Sequence, residues 1–450
     1  MNNQAPGPKG NVLLGSMLDF RRDPLGFLLN GVRTYGDIFR FRVGPYRVIL
    51  ISGPDHIHEV LVAQAKKIRK ADFNRDLLAR FLGNGILTSD GDFHRRQRRL
   101  VQPAFHHHRL ANYADVMVNY TLDMLDSWKN GGTRYNIAEE MMTLTMRIVS
   151  KTLFDAEVGS DAQKVGMAVA ALQEITVSEF KLGFAFPDWI PTGKNRRRLA
   201  ATGVLDDTVR QIIRERRASG EDRGDLLSML LQAQDEDDGS VMTDTQVRDE
   251  AATLFAAGHE TTSNALMWTW YLLSQNPDAE AKLQEELDRV LGSRPPTLED
   301  LADLKYTEMV IKEAMRLHPP AWILMTRTPL EPITVGGYPI HPGEWIFIAP
   351  YVMHRDPQYF EEPERFEPER FSEAREAELP RYAYFPFGGG KRVCIGNSFA
   401  MMEARLILAT MAQRCRLALV PGQQIIPEPE ITLSSRYGLQ MTVSMREAVP

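Results

Sequence analysis

Residues 385–400 read FPFGGGKRVCIGNSFA and contain Cys394, one of the two cysteines of the chain. The cysteine lies between a run of three glycines and an apolar segment with the composition of a helix. A cysteine in this setting could be a buried thiol, a nucleophile, a neighbour of a phosphate-binding loop or a metal ligand. The other features of the sequence have to decide among these four interpretations.

The composition is typical of a globular protein: of 450 residues, 43% are hydrophobic and 25% are charged. The net charge of −6 argues against a general nucleic-acid-binding protein. Two cysteines cannot form a disulfide framework, and we find neither a signal peptide nor a run of about 18 apolar residues. We therefore expect a cytoplasmic protein without a membrane span.

Periodicity predicts a mainly α fold with small β-sheets (α+β). Residues 35–53 alternate apolar and polar side chains around a Gly-Pro turn, which predicts a β-hairpin. Residues 55–318 have mostly helical patterns, whereas residues 333–350 and 431–445 predict short strands. Because no repeat or linker interrupts the chain, we expect a single domain over residues 1–450.

The longest predicted helix begins after a capping box formed by Thr243 and Gln246 and ends at Asn276. Its roughly 30 residues would extend about 45 Å, enough to cross the protein. The centre of this apolar helix contains residues 258–262 (GHETT). A buried glycine and a buried carboxylate both cost stability, so their combination favours a functional site. A helix kink with satisfied polar groups is the alternative.

Several enzyme signatures are incomplete in this chain. The phosphate-binding loop requires Ser or Thr after Gly-Lys, where the chain has Arg392. The His-Glu pair at 259–260 lacks the second histidine of a zinc protease, since Ser263 occupies that position. The cysteines lack the partners of a cysteine-rich zinc site, and we interpret the histidines at 106–108 as solvated surface. The remaining interpretation is that the cysteine ligates a metal ion without other protein ligands.

The segment around Cys394 suits such a ligand within a larger cofactor. Backbone N–H groups of the glycine-rich segment, and of a helix beginning near Gly396, would stabilise a thiolate. Glycines at 388–390 and 396 would let the backbone approach a large flat group, and Lys391 and Arg392 would suit negative charges on it. One thiolate together with anionic groups on a flat macrocycle describes haem with cysteine ligation.

Four motifs of the chain resemble those of the cytochrome P450 superfamily. Residues 387–396 (FGGGKRVCIG) are similar to its F-x-x-G-x-R-x-C-x-G signature, and residues 257–262 (AGHETT) to its oxygen-activation motif. Residues 313–316 (EAMR) are similar to its E-x-x-R helix, and residues 368–371 (PERF) to the loop that follows. The resemblance covers nearly the whole chain and implies the cytochrome P450 fold, with a long central helix over haem.

The resemblance implies haem b (iron protoporphyrin IX), with Cys394 as the ligand of the iron. The other cofactor-binding residues that it implies are His94, Arg98, Ala257, Arg327, Phe387, Arg392 and Gly396. The arginines and His94 would donate to the haem propionates, although many relatives have tryptophan where this chain has His94. Glu313, Arg316 and Arg370 would form a network that locks the loop of Cys394, and a surface ion pair is the alternative.

The same resemblance implies a haem-thiolate monooxygenase that inserts one oxygen atom from O2 into a small hydrophobic substrate, such as a fatty acid, terpenoid or steroid. Thr261 and Glu260 would be catalytic residues that deliver protons for the cleavage of O2. A peroxide-driven or isomerising haem-thiolate enzyme and a haem sensor without turnover are the alternatives. Relatives of the first kind often lack the acid–threonine pair, and a sensor would not need it.

The electrons for this reaction would come from a separate redox partner. Residues 94–109 (HRRQRRLVQPAFHHHR) contain no acidic residue, and in the family this helix borders the proximal side of the haem. These features favour docking of an acidic ferredoxin or flavodoxin, which its reductase would supply with electrons. A solvated charged surface is the alternative. We expect the enzyme to be a monomer.

Overall fold

A computed structural model describes residues 4–105, 111–129, 133–155, 160–182, 185–235 and 239–446 of the chain. Within this part, the predicted mainly α fold with small β-sheets is confirmed. None of the helices described there combines the length and the apolar composition that crossing a membrane requires.

Helices of very different length make up most of the structure. In chain order they are α1 (Met17–Arg22), α2 (Pro24–Tyr35), α3 (Pro54–His58), α4 (Asp72–Leu82), α5 (Gly91–Val101), α6 (Ala114–Lys129), α7 (Ile137–Phe154), α8 (Ser160–Leu182), α9 (Gly193–Ser219), α10 (Leu226–Gln232), α11 (Asp244–Gln275), α12 (Pro277–Leu291), α13 (Lys305–Leu317), α14 (Pro350–Met353), α15 (Glu373–Glu378) and α16 (Asn397–Arg414).

The strands are short and form small sheets. They are β1 (Ile38–Val43), β2 (Tyr46–Ile51), β3 (Ile68–Lys70), β4 (Arg134–Asn136), β5 (Arg327–Pro329), β6 (Ile333–Val335), β7 (Tyr338–Ile340), β8 (Trp345–Phe347), β9 (Cys415–Leu419), β10 (Pro427–Pro429), β11 (Leu433–Ser435) and β12 (Gln440–Met445). One sheet has the order β1-β2-β8-β5-β3 and another the order β4-β12-β9, while β6 pairs with β7 and β10 with β11. The strands predicted in residues 333–350 and 431–445 are confirmed.

The chain forms two compact units, each assembled from separate segments. The first unit contains the described residues of 1–74, 309–394 and 427–436. The second unit contains those of 75–308, 395–426 and 437–450. The first unit therefore holds the five-stranded sheet and the loop of Cys394, and the second holds the long helix α11. The expectation of a single domain stays a prediction.

The first unit is built around the predicted hairpin. Strands β1 and β2 are antiparallel, with Phe41 opposite Val48. Helix α2 packs closely on this hairpin at Gly31, where a Cβ would overlap the ring of Phe39. Phe39 and Leu28 are buried in the resulting core, and burial of a side chain of this size contributes about 1.5–3 kcal/mol.

The second unit contains the predicted long helix, α11, which has 32 residues. Its predicted capping box is present: the Thr243 amide donates to Gln246 Oε1 at 2.8 Å, and the Gln246 amide donates to Thr243 Oγ1 at 3.2 Å. The helix ends at Asn276, whose amide bonds the Leu273 carbonyl. Both boundaries agree with the sequence prediction because capping signals act within a few residues.

Helix α11 continues without a break through Gly258. A Cβ on Gly258 would lie 3.0 Å from Val149 Cγ2 of helix α7. The absence of a side chain thus lets α7 and α11 pack closely in this region. The helix assignment is unbroken at residues 258–262, and the alternative of a helix kink there stays a prediction.

Candidate active site

The cysteine loop of the first unit carries an exposed thiol at Cys394. A 3-10 turn, Gly390–Arg392, precedes the cysteine, and the Cys394 amide donates to the Phe387 carbonyl at 2.9 Å. The second cysteine, Cys415, is buried, and burial raises the pKa of its thiol to about 12. Cys394 is therefore the cysteine that can act as a thiolate ligand.

Two glycines of this loop are required by packing within the first unit. A Cβ on Gly389 would overlap the ring of Tyr382, and a Cβ on Gly390 would overlap the Leu61 carbonyl. Gly390 also has a φ of +63°, in the left-handed region that favours glycine. The sequence prediction attributed these glycines to the approach of a flat group, but the shape of the loop itself already requires them.

The start of the loop is held by His354, a residue to which the sequence analysis assigned no role. The Phe385 amide donates to His354 Nε2 at 3.0 Å. Burial lowers the pKa of His354 well below its ordinary value, so the ring is neutral and can accept this bond. The contact joins residues 31 positions apart, and no local pattern marks it.

The Glu313–Arg316 pair is buried in the first unit, with both side chains 0% exposed. Arg316 Nε and Nη2 donate to the two Glu313 carboxylate oxygens at 2.6 and 2.8 Å. Arg370 Nε lies 3.4 Å from Glu313 Oε1, and the Glu367 amide donates to the same oxygen at 2.9 Å. The predicted buried network is thus confirmed, and the alternative of a surface ion pair is wrong.

This network is tied to the residue that holds the cysteine loop. Arg316 Nη1 donates to the His354 carbonyl at 2.9 Å and to the Pro363 carbonyl at 2.7 Å. His354 in turn accepts the amide of Phe385, where the loop begins. A chain of hydrogen bonds therefore connects the helix of Glu313 with the segment that carries Cys394.

The other predicted cofactor-binding residues of the first unit are half-buried. Arg327 lies on strand β5 and donates from Nη1 to the Met325 carbonyl at 2.9 Å. Arg392 lies on the 3-10 turn, and Phe387 contributes the carbonyl that accepts the Cys394 amide. Together with the exposed thiol, these cations form a donor set that fits a haem with cysteine ligation.

In the second unit, Ala257 and Thr261 lie one turn apart on the same face of α11. Ala257 is exposed and Thr261 is half-buried, although most of this helix is buried. Thr261 Oγ1 donates to the Ala257 carbonyl at 2.8 Å. Because this bond uses the hydroxyl proton, the lone pairs of Thr261 Oγ1 can accept a proton donor.

Glu260 contacts another helix through its carboxylate. Gln173 Nε2 of α8 donates to Glu260 Oε2 at 2.6 Å. The sequence analysis did not identify Gln173, because no motif marks an amide 87 positions away. His259 Nδ1 lies 2.7 Å from the Phe255 carbonyl, and burial lowers the pKa of His259. His259 is thus a neutral, buried side chain of the helix.

Helix α5 of the second unit carries His94 and Arg98 one turn apart. His94 is buried and Arg98 is half-buried. The neighbouring Gln97 donates from Nε2 to Glu250 Oε1 of α11 at 3.1 Å, which fixes α5 against the long helix. Gly396, also in this unit, is the N-cap of α16, so the helix predicted near this residue is confirmed.

The basic segment of α5 is partly neutralised by acidic residues that lie outside it in the sequence. Arg96 Nε and Arg99 Nη2 pair with Asp235 at 3.0 and 2.8 Å. The Asp235 side chain is 1% exposed, so it is buried rather than solvated. Arg95 is 65% exposed and lies 2.6 Å from Asp92. Arg95 is therefore the most exposed arginine of α5, and it too is paired with an acidic residue.

Clustered metal ligands do not occur in the part of the chain that the structure describes. No group there of three or more His, Cys, Asp or Glu side chains could hold a metal ion. The histidines at 106–108 lie outside the described residues.

Sequence comparison finds one family over almost the entire chain. The family model described as Cytochrome P450 matches residues 5–442. Cyclooctatin synthase from Streptomyces melanosporofaciens is 40% identical over 432 residues, covering 95% of this chain and 93% of the relative. Cyclooctat-9-en-7-ol 5-monooxygenase from the same organism is 38% identical and covers 92% of this chain and 90% of the relative.

A third relative and a solved structure agree with this match. Pentalenene oxygenase from Streptomyces avermitilis is 33% identical, and the match covers 98% of this chain and 97% of the relative. The crystal structure of the cytochrome P450DA heme domain superposes with a TM-score of 0.89 at 25% identity, covering 99% of this chain and 98% of the other. Sequence and fold comparisons therefore point to the same family.

Proposed function

The chain belongs to the cytochrome P450 family, and we propose that it oxidises a terpenoid with a haem b ligated by Cys394. As a member of this family it is a monooxygenase, an oxidoreductase that uses a haem-iron cofactor, O2, a hydrophobic substrate and redox partners. The observation that carries the proposal is the exposed thiol of Cys394 on a loop closed by the Phe387 carbonyl.

In this proposal, the residues that the resemblance implies bind the cofactor. Cys394 supplies the thiolate that ligates iron, and the haem, when bound, supplies the oxidation chemistry. The proposed propionate donors are His94, Arg98, Arg327 and Arg392, and the proposed residues against the macrocycle are Ala257, Phe387 and Gly396. Arginine suits this role because its guanidinium can bind a carboxylate through two parallel hydrogen bonds.

Thr261 and Glu260 control the protons that the reaction consumes. The Thr261 hydroxyl donates to the Ala257 carbonyl, so its oxygen can accept a hydrogen bond from a water molecule and hold that water in place. The Glu260 carboxylate can take a proton from solvent and pass it towards this water.

Electron supply and cellular context complete the proposal. An acidic ferredoxin or flavodoxin, reduced by its reductase, would dock at the surface of α5 that carries Arg95. We propose that the enzyme acts as a cytoplasmic monomer and that residues 1–450 form one haem domain. The cationic side chain of Arg95 and the negative charge of such partners are complementary.

The names of three relatives support the proposed substrate class. Two of them are named for cyclooctatin chemistry and one for pentalenene, which are terpenoids. Because the match covers nine-tenths or more of each chain, we propose a cyclic terpene or terpene alcohol as the substrate of this enzyme.

A panel of hydrophobic molecules tests this proposal. The holoenzyme is titrated with cyclic terpenes, fatty acids and steroids, and the haem spectrum is followed. We expect cyclic terpenes to shift the haem spectrum at the lowest concentration. Turnover with ferredoxin, reductase and 18O2 should place one labelled oxygen atom in the product. A spectral shift at lower concentrations of fatty acids or steroids than of terpenes would contradict the terpenoid assignment. Product formed solely with hydrogen peroxide would support the peroxide-driven alternative.

A further inference from the structure

The contact between Gln173 and Glu260 joins two helices of the second unit. Gln173 lies half-buried on α8, and its Nε2 donates to Glu260 Oε2 of α11 at 2.6 Å. Side-chain amides donate from nitrogen, so the bond favours the ionised carboxylate, which is an acceptor through both oxygens. We propose that Gln173 is a positioning residue for Glu260 and that it links helices α8 and α9 to proton delivery.

The bond controls both the charge and the orientation of Glu260. A hydrogen bond to the ionised form of a carboxyl group lowers its pKa, and a bond to a charged group is stronger than one between neutral groups. Fixing one carboxylate oxygen also restricts the rotamers of a flexible side chain. Gln173 therefore keeps Glu260 in the state and place from which it can take up a proton. This role rests on the proposed function of Glu260.

Helices α8 and α9 are tied to each other near Gln173. The neighbouring Glu174 binds Arg197 of α9 through two hydrogen bonds, at 2.6 and 3.0 Å. One turn and a half further along, Glu179 pairs with Arg198 at 2.8 Å, and both side chains are 3% exposed. A displacement of α9 would therefore be transmitted to α8 and to Gln173.

The opposite side of α11 is held by a different helix. Thr145 Oγ1 of α7 donates to the His259 carbonyl at 3.0 Å, next to Glu260 in the chain. Gly258 packs against Val149 of the same helix. Because α7 holds the backbone of α11 at this point, a shift of α8 would change the Gln173–Glu260 distance. The carboxylate of the proton pathway thus responds to the position of α8 and α9.

A double-mutant cycle on the holoenzyme tests the proposal. The four forms are the unmodified enzyme, Gln173→Leu, Glu260→Ala and the double variant. Each is driven by NADPH, reductase and ferredoxin with the terpene that gives the largest spectral shift, and the hydrogen peroxide released per O2 consumed is measured. We expect Gln173→Leu to raise this fraction and the double variant to match Glu260→Ala.

The pH dependence separates positioning from a general effect on folding. The Gln173 donor favours the ionised form of the Glu260 carboxylate, so the midpoint of the peroxide-against-pH curve should move to higher pH in Gln173→Leu. The matched control is Gln211→Leu on α9, which removes an exposed amide that binds Glu215 at 2.8 Å. The control should change neither the peroxide fraction nor the midpoint.

A measurement without turnover follows the link in the other direction. Glu260→Ala removes the acceptor, so amide deuterium uptake should rise in peptides of α8 around Gln173 and stay unchanged with Gln211→Leu. The proposal would be overturned by unchanged deuterium uptake in α8, by additive effects of the two substitutions in the double-mutant cycle, or by an unshifted midpoint of the peroxide-against-pH curve. If Glu260→Ala uncouples turnover and Gln173→Leu does not, the inference alone fails. If Glu260→Ala has no effect, both the proton pathway and the inference fail.

Discussion

At the level of single residues, one hydrogen bond orients the hydroxyl of Thr261. Its proton is donated to the Ala257 carbonyl at 2.8 Å, so the oxygen is oriented as an acceptor. A threonine in the middle of a buried helix would otherwise be a modest cost to helix stability. Here the same geometry provides an acceptor on the exposed face that Ala257 shares.

Substitution of Thr261 tests this acceptor role directly. Thr261→Ala should keep haem and substrate binding while releasing a several-fold larger share of consumed O2 as hydrogen peroxide, because positioned proton transfer is lost. The peroxide yield per NADPH measures this effect. Thr261→Ser keeps the hydroxyl and is the control. A peroxide yield of Thr261→Ala equal to that of the unmodified enzyme would remove Thr261 from proton delivery.

Glu403 of α16 is a buried carboxyl group that the sequence analysis did not identify. Burial raises its pKa from 4.5 to about 8, in spite of an opposing contribution from the Thr262 hydroxyl. The folded protein therefore holds this proton at neutral pH, while the unfolded chain releases it above pH 4.5. The contribution of Glu403 to the free energy of unfolding is fully present below pH 4.5 and is lost as the pH rises towards 8.

Replacement by a neutral amide should remove this pH dependence. The free energy of unfolding of Glu403→Gln, relative to that of the unmodified protein, is expected to increase between pH 4.5 and about 8. The increase should be up to about 1.4 kcal/mol per pH unit. Urea unfolding of both proteins at several pH values measures the gain. Glu378→Gln, at an exposed position of α15, controls for the loss of one charge. A gain that does not vary with pH would show that Glu403 is ionised when folded.

At the level of elements, the cysteine loop depends on hydrogen bonds from helix α13. Arg316 neutralises Glu313 and also donates to the carbonyls of His354 and Pro363. His354 then accepts the Phe385 amide at the start of the loop. The position of the loop is therefore determined by a buried ion pair on a different helix.

Breaking this pair should cost much more than breaking a surface pair. Arg316→Met leaves the Glu313 carboxylate buried without its main partner, so we expect a loss of about 3–5 kcal/mol and poor retention of haem. The control is Arg365→Ala, whose partner Glu362 is equally exposed, with an expected cost of about 0–1 kcal/mol. Urea unfolding and the haem content after purification measure both effects. Equal costs for the two variants would contradict the proposed support of the loop.

Elements with local signals could be predicted from the sequence. The capping box at Thr243 and the alternation of residues 35–53 act over a few positions, and the structure contains both elements. His354 and Gln173 could not be found in this way, because their contacts span 31 and 87 positions. Side chains that meet across helices leave no periodic pattern, so their roles emerge when the chain is folded.

At the level of the whole molecule, the net charge of −6 makes a cationic surface on α5 notable. The sequence analysis assigned Arg98 to the haem propionates and treated residues 94–109 as one cationic segment. In the structure, Arg96 and Arg99 both pair with the buried Asp235, which lies outside α5. Charge counted along the sequence therefore overstated the cationic surface of α5, of which Arg95 is the most exposed arginine.

Removal of the Arg95 charge tests partner docking. Arg95→Gln should slow reduction by an acidic ferredoxin several-fold at low ionic strength, with the difference disappearing as salt screens the charges. Stopped-flow reduction at low and high salt measures this effect. The control is Arg75→Gln on α4, which removes another partly exposed cation of the second unit. A rate of Arg95→Gln that equals that of the unmodified enzyme at low salt would place the docking surface elsewhere.

The central claim is that Cys394 ligates the haem iron through its thiolate. The most direct measurement is the spectrum of the reduced CO adduct of the unmodified enzyme, of Cys394→Ser and of Cys415→Ser. We predict the red-shifted Soret band of thiolate ligation in the unmodified enzyme and in Cys415→Ser, and its loss in Cys394→Ser. An ordinary haem-protein band in the unmodified enzyme, or a red-shifted band that survives Cys394→Ser, would contradict the account.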